Sequence, residues 1–438
     1  MTKGVFRLLL AALPALAFLP AAPAAANPLT DELRQLVATH PEIKARASQL
    51  DSARAGIDRA FAGYLPKLDA VAEVGPQYID SPVTRDAGGG SFTAISEIYG
   101  VRLTQPLFDG FATPSDLRAA RLAQEVGTFT LEGTRQNVVL AGIAVYIEVL
   151  RQSRLIALAR HNEETIRQQL HLEDERVRRG SGIAVDVLLA KSRLQIAKER
   201  RVTFEGALED AHARYLRIFG HAPETAAMSA VTARPELLPD SIEVAIKTAE
   251  ADNPAIDASL ATVEIASEKR RLIRADYYPR LNVVAAANRE KDNDLVEGTR
   301  TDFSVLLQAT WNLFSGFATN AGVAQAAADY RASQDNHERI RREVLEQTRL
   351  AWNDLQTAQA RVELLENASA IADEVLSARI KLRDAGRETA LNVLDAENEL
   401  YNARINLTQA EGDRTLAAYR LLQGMGRLDA ATLGYGTN

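Results

Sequence analysis

The chain says the same thing twice, over about 200 residues, and the two copies differ in length at one place only. Ala38-Thr39-His40-Pro41-Glu42-Ile43 returns as Ala251-Asp252-Asn253-Pro254-Ala255-Ile256. Tyr64-Leu65-Pro66-Lys67-Leu68 returns as Tyr277-Tyr278-Pro279-Arg280-Leu281, each pair 213 residues apart. From Leu107-Phe108-Asp109-Gly110, matched by Leu313-Phe314-Ser315-Gly316, the spacing falls to 206 and stays there through Gly180 with Gly386 and Gly220 with Gly426. Solenoid repeats run to roughly 20–50 residues, so this is a duplicated half-structure rather than an array. The length change lies between Leu68 and Leu107 and marks a tolerant loop there.

Each copy opens with a helical pattern from Pro41 to Gly63, or Pro254 to Asp276, started by a proline suited to the first helical turn and stopped by Pro66 or Pro279. The period then changes to two. Leu68, Ala70, Ala72 and Val74 alternate with polar neighbours, as do Tyr99, Val101 and Leu103. In the second copy Leu281, Val283, Ala285 and Ala287, then Phe303, Val305, Leu307 and Trp311, do the same. These read as two strand pairs, residues 67–107 and 280–313, with Ser81 to Ser91 and Glu290 to Thr299 as polar hairpin loops. A turn at Asp109-Gly110 or Ser315-Gly316 leads into a run to Gly180 or Gly386 with no proline beyond Pro114. Each run is about 67 residues, or roughly 100 Å as one helix. Leu355, Ala358, Val362, Leu365, Ala372 and Leu376, with Ser369 as the weak member, keep a coiled-coil spacing. Shorter helices return from Ala184 to Phe219 and from Thr389 to Gln423. The first helix and the returning helix of each half together span nearly the long one, so they can stack end to end beside it.

The expected division is a secretory signal at 1–26, a first repeat at 27–220, a connector at 221–239, a second repeat at 240–426 and a tail at 427–438. Lys3 and Arg7 precede an apolar stretch of about 12 residues and the small residues Ala24-Ala25-Ala26. That stretch is short of the ~20 residues a spanning helix needs. Losing Lys3 and Arg7 would take the formal charge from −7 to −9, which argues against nucleic acid as a partner. No other segment has a long apolar run, so membrane insertion would have to use strands. The chain has no cysteine, which excludes disulfides, thiolate metal sites and N-terminal lipidation.

Two hairpins make four strands, which cannot close a barrel or hold open edges in lipid. Two chains would give eight strands, filled by side chains; three give twelve and leave room for water. A homotrimer is the economical expectation.

These features together resemble the TolC-type outer-membrane channel family over essentially the whole mature length. The resemblance rests on the duplication, on Leu107-Phe108-Asp109-Gly110 and Leu313-Phe314-Ser315-Gly316, and on two helix-tip stretches. The first tip runs Gly180-Ser181-Gly182-Ile183-Ala184-Val185-Asp186-Val187-Leu188, and the second runs Gly386-Arg387-Glu388-Thr389-Ala390-Leu391-Asn392-Val393-Leu394-Asp395-Ala396. It implies a mainly α protein with a β-barrel contribution: a trimeric 12-stranded β-barrel in the outer membrane on a 12-helix α-barrel in the periplasm. It further implies an exit duct of a tripartite exporter, with a periplasmic adaptor (membrane fusion) protein and an inner-membrane ABC transporter or proton-driven pump as partners. Leu394 to Arg404 and Tyr419-Arg420-Leu421-Leu422 are most similar to the branch serving type I secretion of proteins such as large adhesins. Small-molecule efflux by a proton-driven pump is the alternative, and a periplasmic coiled-coil adaptor is the alternative of another class. Three methionines, none clustered near a tip, speak against a copper or silver exporter.

The resemblance also implies an acidic ring at the periplasmic constriction. Asp395 matches one ring position, whereas Asn392 stands where the family has an acid. Arg179, Gly180, Ser181, Gly182, Gly386 and Arg387 are expected at adaptor-docking tips, since hairpin tips are natural contact points for partner helices. Arg176, Arg178, Lys381 and Arg383 add cations that also offset helix C-terminal dipoles. Trp311, Tyr99, Phe303 and Tyr78 are the expected aromatics at the interfaces with outer-membrane lipid. None of the six histidines falls in a His-Glu-x-x-His spacing, and no Gly-x-Ser-x-Gly elbow or phosphate loop occurs, so no catalytic, cofactor or metal role is expected.

Overall fold

The computed structural model describes residues 28–86, 91–180, 183–232 and 235–434. The expected signal at 1–26, Gly88-Gly89-Gly90, Ser181 and Gly182, and the final residues of the tail lie outside the described residues. The first half runs α1 (Pro28–Thr39), α2 (Pro41–Phe61), β1 (Lys67–Ile79), α3 (Pro82–Asp86), β2 (Phe92–Phe108), α4 (Ala112–Arg178) and α5 (Ala184–Phe219). The second runs α6 (Ile242–Asp252), α7 (Pro254–Arg274), β3 (Arg280–Asn293), β4 (Val296–Thr310), α8 (Ala318–Asp384) and α9 (Ala390–Gly424), followed by α10 (Ala430–Leu433).

The repeated residues mark the joints. His40 and Asn253 cap α2 and α7, accepting the amides of Glu42 at 3.3 Å and Ala255 at 2.9 Å, ahead of Pro41 and Pro254. A single 3-10 turn closes each helix before Pro66 or Pro279. Between strand and long helix the chain needs two successive left-handed residues. Gly110 and Phe111 (φ 71° and 70°) supply them in one half, Gly316 and Phe317 (63° and 66°) in the other. Asp109 then accepts the Thr113 amide at 2.7 Å, which starts α4.

The long helices α4 and α8 are 67 residues each. α2 and α5 both lie against α4, and α7 and α9 both lie against α8. Leu355, Ala358, Val362 and Ala372 of the seam are buried, while Leu365, Ser369 and Leu376 are half-buried. The main core gathers part-way along the long helices, where Leu33 and Leu36 of α1 meet Val139, Ile143 and Tyr146 of α4, Tyr215 and Phe219 of α5, and Leu421 and Leu422 of α9. Two amide side chains tie this region to the end of the second repeat. Asn253 donates to the Gly424 carbonyl and Gln136 to the Gly426 carbonyl, each at 2.8 Å.

The four strands form one antiparallel sheet in the order β1-β2-β3-β4. Both hairpins begin on equivalent pairs, Lys67 with Thr104 and Arg280 with Thr310, so the extra length of the first copy falls in the connection between Ile79 and Phe92. Two expected loops differ from the structure. Glu290 to Asn293 and Val296 to Thr299 continue as strand, leaving only Asp294 and Leu295 at the turn. Their polar side chains look like loop composition, but β3 and β4 keep pairing through Lys291–Thr299 to Asn293–Val296, and β2 supports β3 as far as Glu97–Lys291. In the first hairpin, Pro82–Asp86 of the expected Ser81–Ser91 loop form a helical turn, with Arg85 paired to Asp80 at 3.1 Å.

Candidate functional site

Strand pairing sorts the sheet's side chains onto two faces. One carries Leu68, Ala70, Ala72 and Val74 beside Tyr99, Val101 and Leu103, then Val283, Ala285 and Ala287 beside Phe303, Val305 and Leu307. The other is mainly polar, with Asp69, Glu73, Arg102, Thr104, Asn282, Asn288, Asp302, Ser304 and Gln308 outnumbering Val71, Ile98, Val284, Ala286 and Leu306. The apolar face is open: Phe303 is 75% and Leu307 70% exposed. A large apolar face without cover fits lipid, and a polar opposite face fits water. The apolar rows run from Leu107 to Tyr99, about 26 Å along the strand, and end where Lys291 meets Glu97 at 3.3 Å. Among the described residues no helix is long and apolar enough to cross a membrane.

The four expected interface aromatics fall at different heights. Trp311 lies one residue past β4 at the helix end of the sheet, where its indole N–H donates to the Tyr277 carbonyl at 3.1 Å. Tyr99 lies at the outer limit of the apolar rows, Phe303 lies within them opposite Ala287, and Tyr78 lies beyond Glu97 toward the end of β1. The sequence reading missed a denser belt at the sheet–helix junction. There Phe108, Phe111 and Tyr278 meet edge to face at 5.4–6.5 Å, and Phe314 meets Phe317 at 5.5 Å. The repeated Leu-Phe-x-Gly-Phe stretches were its signal.

At the opposite end the long helices turn back. Gly180 and Gly386 adopt φ of 75° and 71°. At the second tip the Gly386 amide bonds to Arg383 O and the Arg387 amide to Leu382 O, both at 2.9 Å, which is a Schellman closure. Thr389 caps α9 by accepting the Asn392 amide at 3.3 Å. Several tip cations are engaged within their own helix: Arg176 with Glu173 at 3.3 Å, Arg178 with Asp174 at 2.9 Å and Arg179 with Glu175 at 3.3 Å. Arg387 is exposed, and Arg383 reaches across to Gln169 of α4 at 2.8 Å. The first tip also presents apolar side chains that the sequence reading did not single out. Ile183, Val185 and Leu188 are all more than half exposed.

Asp395 and Asn392 sit near the start of α9 with different partners. Asp395 is exposed and accepts from Arg193 of α5 at 2.5 Å. The Asn392 side-chain Nδ2 donates to Glu388, which also faces Arg379 at 3.5 Å. These contacts hold the Glu388 carboxyl below its usual range, chiefly through Asn392, then the Thr389 amide, with Arg379 contributing. An acid, Glu388, therefore lies beside residue 392, the position at which the resemblance implies an acid. Arg193 and Glu388 were not picked out from the sequence; Arg193 is 202 residues from its partner, with no local motif to flag it.

Both halves match the same family model, "outer membrane efflux protein", over residues 33–221 and 245–427. The chain is 26% identical to outer membrane efflux protein BepC of Brucella suis, over 76% of this chain and 73% of that one. It is 26% identical to the alkaline protease secretion protein AprF of Pseudomonas aeruginosa, over 92% and 85%. Outer membrane protein TolC of Escherichia coli is 24% identical, over 93% and 84%. Among solved structures, a membrane protein from Pseudomonas aeruginosa superposes with a TM-score of 0.80 at 19% identity, covering 91% of this chain and 90% of that one. With the family model spanning both repeats, the open apolar sheet face and the paired helical tips have one reading: the chain belongs to the outer membrane efflux protein family, whose channels lie in the outer membrane and extend into the periplasm.

Proposed function

We propose that three copies of this chain close their sheets edge to edge into a twelve-stranded barrel, and that the resulting duct passes protein substrates of a type I secretion system. The observation that carries the barrel is the single four-stranded sheet, apolar on one face and polar on the other, with β1 and β4 left as free edges. Open edges in lipid leave amides and carbonyls unsatisfied, so closure must come from further copies. The likeness to AprF, named for alkaline protease secretion, supports protein as cargo. The lumen narrows at the tips, where Asp395 and Glu388 supply negative charge, and Arg387 with the exposed Ile183, Val185 and Leu188 form a surface for the helical hairpin of a periplasmic adaptor. An inner-membrane ABC transporter completes the assembly.

Small-molecule efflux with a proton-driven pump is the second reading, supported by the likeness to BepC, an efflux protein by name. Membership in a channel family leaves no support for a free-standing periplasmic adaptor. Deleting the gene and comparing culture supernatants with drug sensitivities separates the two readings. Loss of a secreted protein with unchanged sensitivity is expected. An unchanged supernatant with hypersensitivity to small toxic compounds would overturn the secretion reading.

A further inference from the structure

Glu397 lies on α9 half a turn from Asp395 and is 8% exposed, with its Oε2 unpartnered among the described residues. It lines a cavity of about 220 Å³ between α4, α5 and α9. Arg193 of α5 lines the same cavity. Its Nη2 donates to Asp395 at the cavity's exposed edge, while its Nη1 is buried with no partner. One space thus holds a buried acceptor without a donor and a buried donor without an acceptor. Such groups are uncommon in folded proteins and call for an explanation.

The surrounding charges are otherwise engaged. Arg200 of α5 donates to Asn402 at 3.0 Å and lies over the Tyr401 ring at 5.7 Å. Arg383 of α8 is held by Gln169 at 2.8 Å and Asp384 at 3.3 Å. From α4 the cavity receives Asn162 and Ile166, neither charged, and on α9 itself Tyr401 follows one turn after Glu397. Among the described residues, Arg193 is the cation lining this cavity that has a buried nitrogen without a partner.

We propose that Glu397 is a second, buried seat for Arg193, and that the seat Arg193 occupies decides whether Asp395 faces the channel mouth neutralised or bare. In the arrangement seen, Arg193 covers Asp395 and Glu397 is left without a cation. Burial pushes the Glu397 carboxyl up to about 7, against the pull of Arg383 and Arg193. Below that pH the acid is neutral and Arg193 stays on Asp395, so the trio carries no net charge. Above it the carboxylate draws Arg193 inward and Asp395 is uncovered, leaving one negative charge per chain at the mouth. Each tenfold gain in acidity that Arg193 confers on Glu397 multiplies the ratio of the two arrangements by about ten per chain above neutral pH. The effect on selectivity rests on the reading of Asp395 as a mouth residue; the exchange of Arg193 between the acids does not.

Two measurements on the purified full-length protein test this. In planar bilayers with a salt gradient, cation preference of the wild type should rise between about pH 6 and pH 8, while Glu397→Gln should stay at the low-pH value. An equal rise in Glu397→Gln overturns the proposal. Infrared titration reads the acid directly and needs no variant at the buried site. The protonated-carboxyl band should disappear near pH 7 in the wild type and at lower pH in Asp395→Asn, because Arg193 is then released to Glu397. An unshifted midpoint in Asp395→Asn also overturns it. If that midpoint shifts but Asp395→Asn has wild-type selectivity at every pH, the exchange stands and the placing of Asp395 at the mouth fails.

Discussion

Gly110 packs so closely on Ala275 that an added Cβ would come within 2.5 Å of the Ala275 carbonyl oxygen, whereas its repeat counterpart Gly316 has nothing within 4 Å. Within one chain, the first repeat leans on the second at this point, and the second leans on nothing. By the repeat relationship, residue 275 corresponds to Ala62, so Gly316 should meet Ala62 of the next copy in a closed trimer. Gly110→Ala should therefore disrupt the folded chain itself. Gly316→Ala should leave helix content intact, at about 1–2 kcal/mol of backbone strain, but lose the trimer. Circular dichroism beside size-exclusion chromatography separates the two effects. A stable Gly316→Ala trimer would contradict the correspondence.

The two faces of the sheet give a second contrast. Val305 and Ser304 are adjacent on β4 and point to opposite faces. Lysine at a lipid-facing position near mid-membrane costs about 2–4 kcal/mol, while a lumen position tolerates it. Val305→Lys should deplete the protein from the outer-membrane fraction, and Ser304→Lys should not. The reverse pattern would mean that the faces are assigned the wrong way round.

At the tips, Asn392→Asp should raise cation preference, since a third acid would join Asp395 and Glu388 about one helical turn from each. Arg193→Gln should act in the same direction by uncovering Asp395. Reversal potentials in a salt gradient check both. If neither moves, the narrowest point lies elsewhere along the duct.

Glu397 also predicts a dependence of stability on pH. Its folded value of about 7 lies above the 4.5 of a glutamate in water. Between these values the folded chain holds a proton that the unfolded chain has released, so stability falls as pH rises across that window. Glu397→Gln removes this slope. The apparent melting temperature of the wild type should drop more from pH 5 to pH 8 than that of the variant, by a few degrees. Parallel melting curves would show that the acid is not buried as described.

Much of the architecture was legible because its signals are local. The period of two in Leu68–Val74, the proline-free runs before Gly180 and Gly386, and the helix-opening Pro41 and Pro254 each act within a few residues. The ends of β3 and β4 were not legible. Glu290-Lys291-Asp292-Asn293 has the composition of a loop, and it is extended because β4 pairs with it to Asn293–Val296 while the remote β2 pairs with Glu290 and Lys291. The site divides in the same way. Asp395 could be placed by its motif, whereas the pairing of Arg193 with Asp395 and the burial of Glu397 arise from helices of different repeats meeting. No spacing within either repeat encodes such a meeting.

The repeat also sets the register in which neighbouring chains should pair. Within the chain, Val101 of β2 pairs with Ala287 of β3. The repeat counterparts are Leu307 of β4 and Val74 of β1, which lie on opposite edges of the sheet. A disulfide between them can therefore only join two chains, and the chain has no native cysteine to interfere. Oxidising the Leu307→Cys, Val74→Cys double variant in outer membranes should give a denaturing-gel ladder that stops at three chains. Failure to cross-link at this pair, or a ladder continuing beyond three, would contradict a closed trimeric barrel.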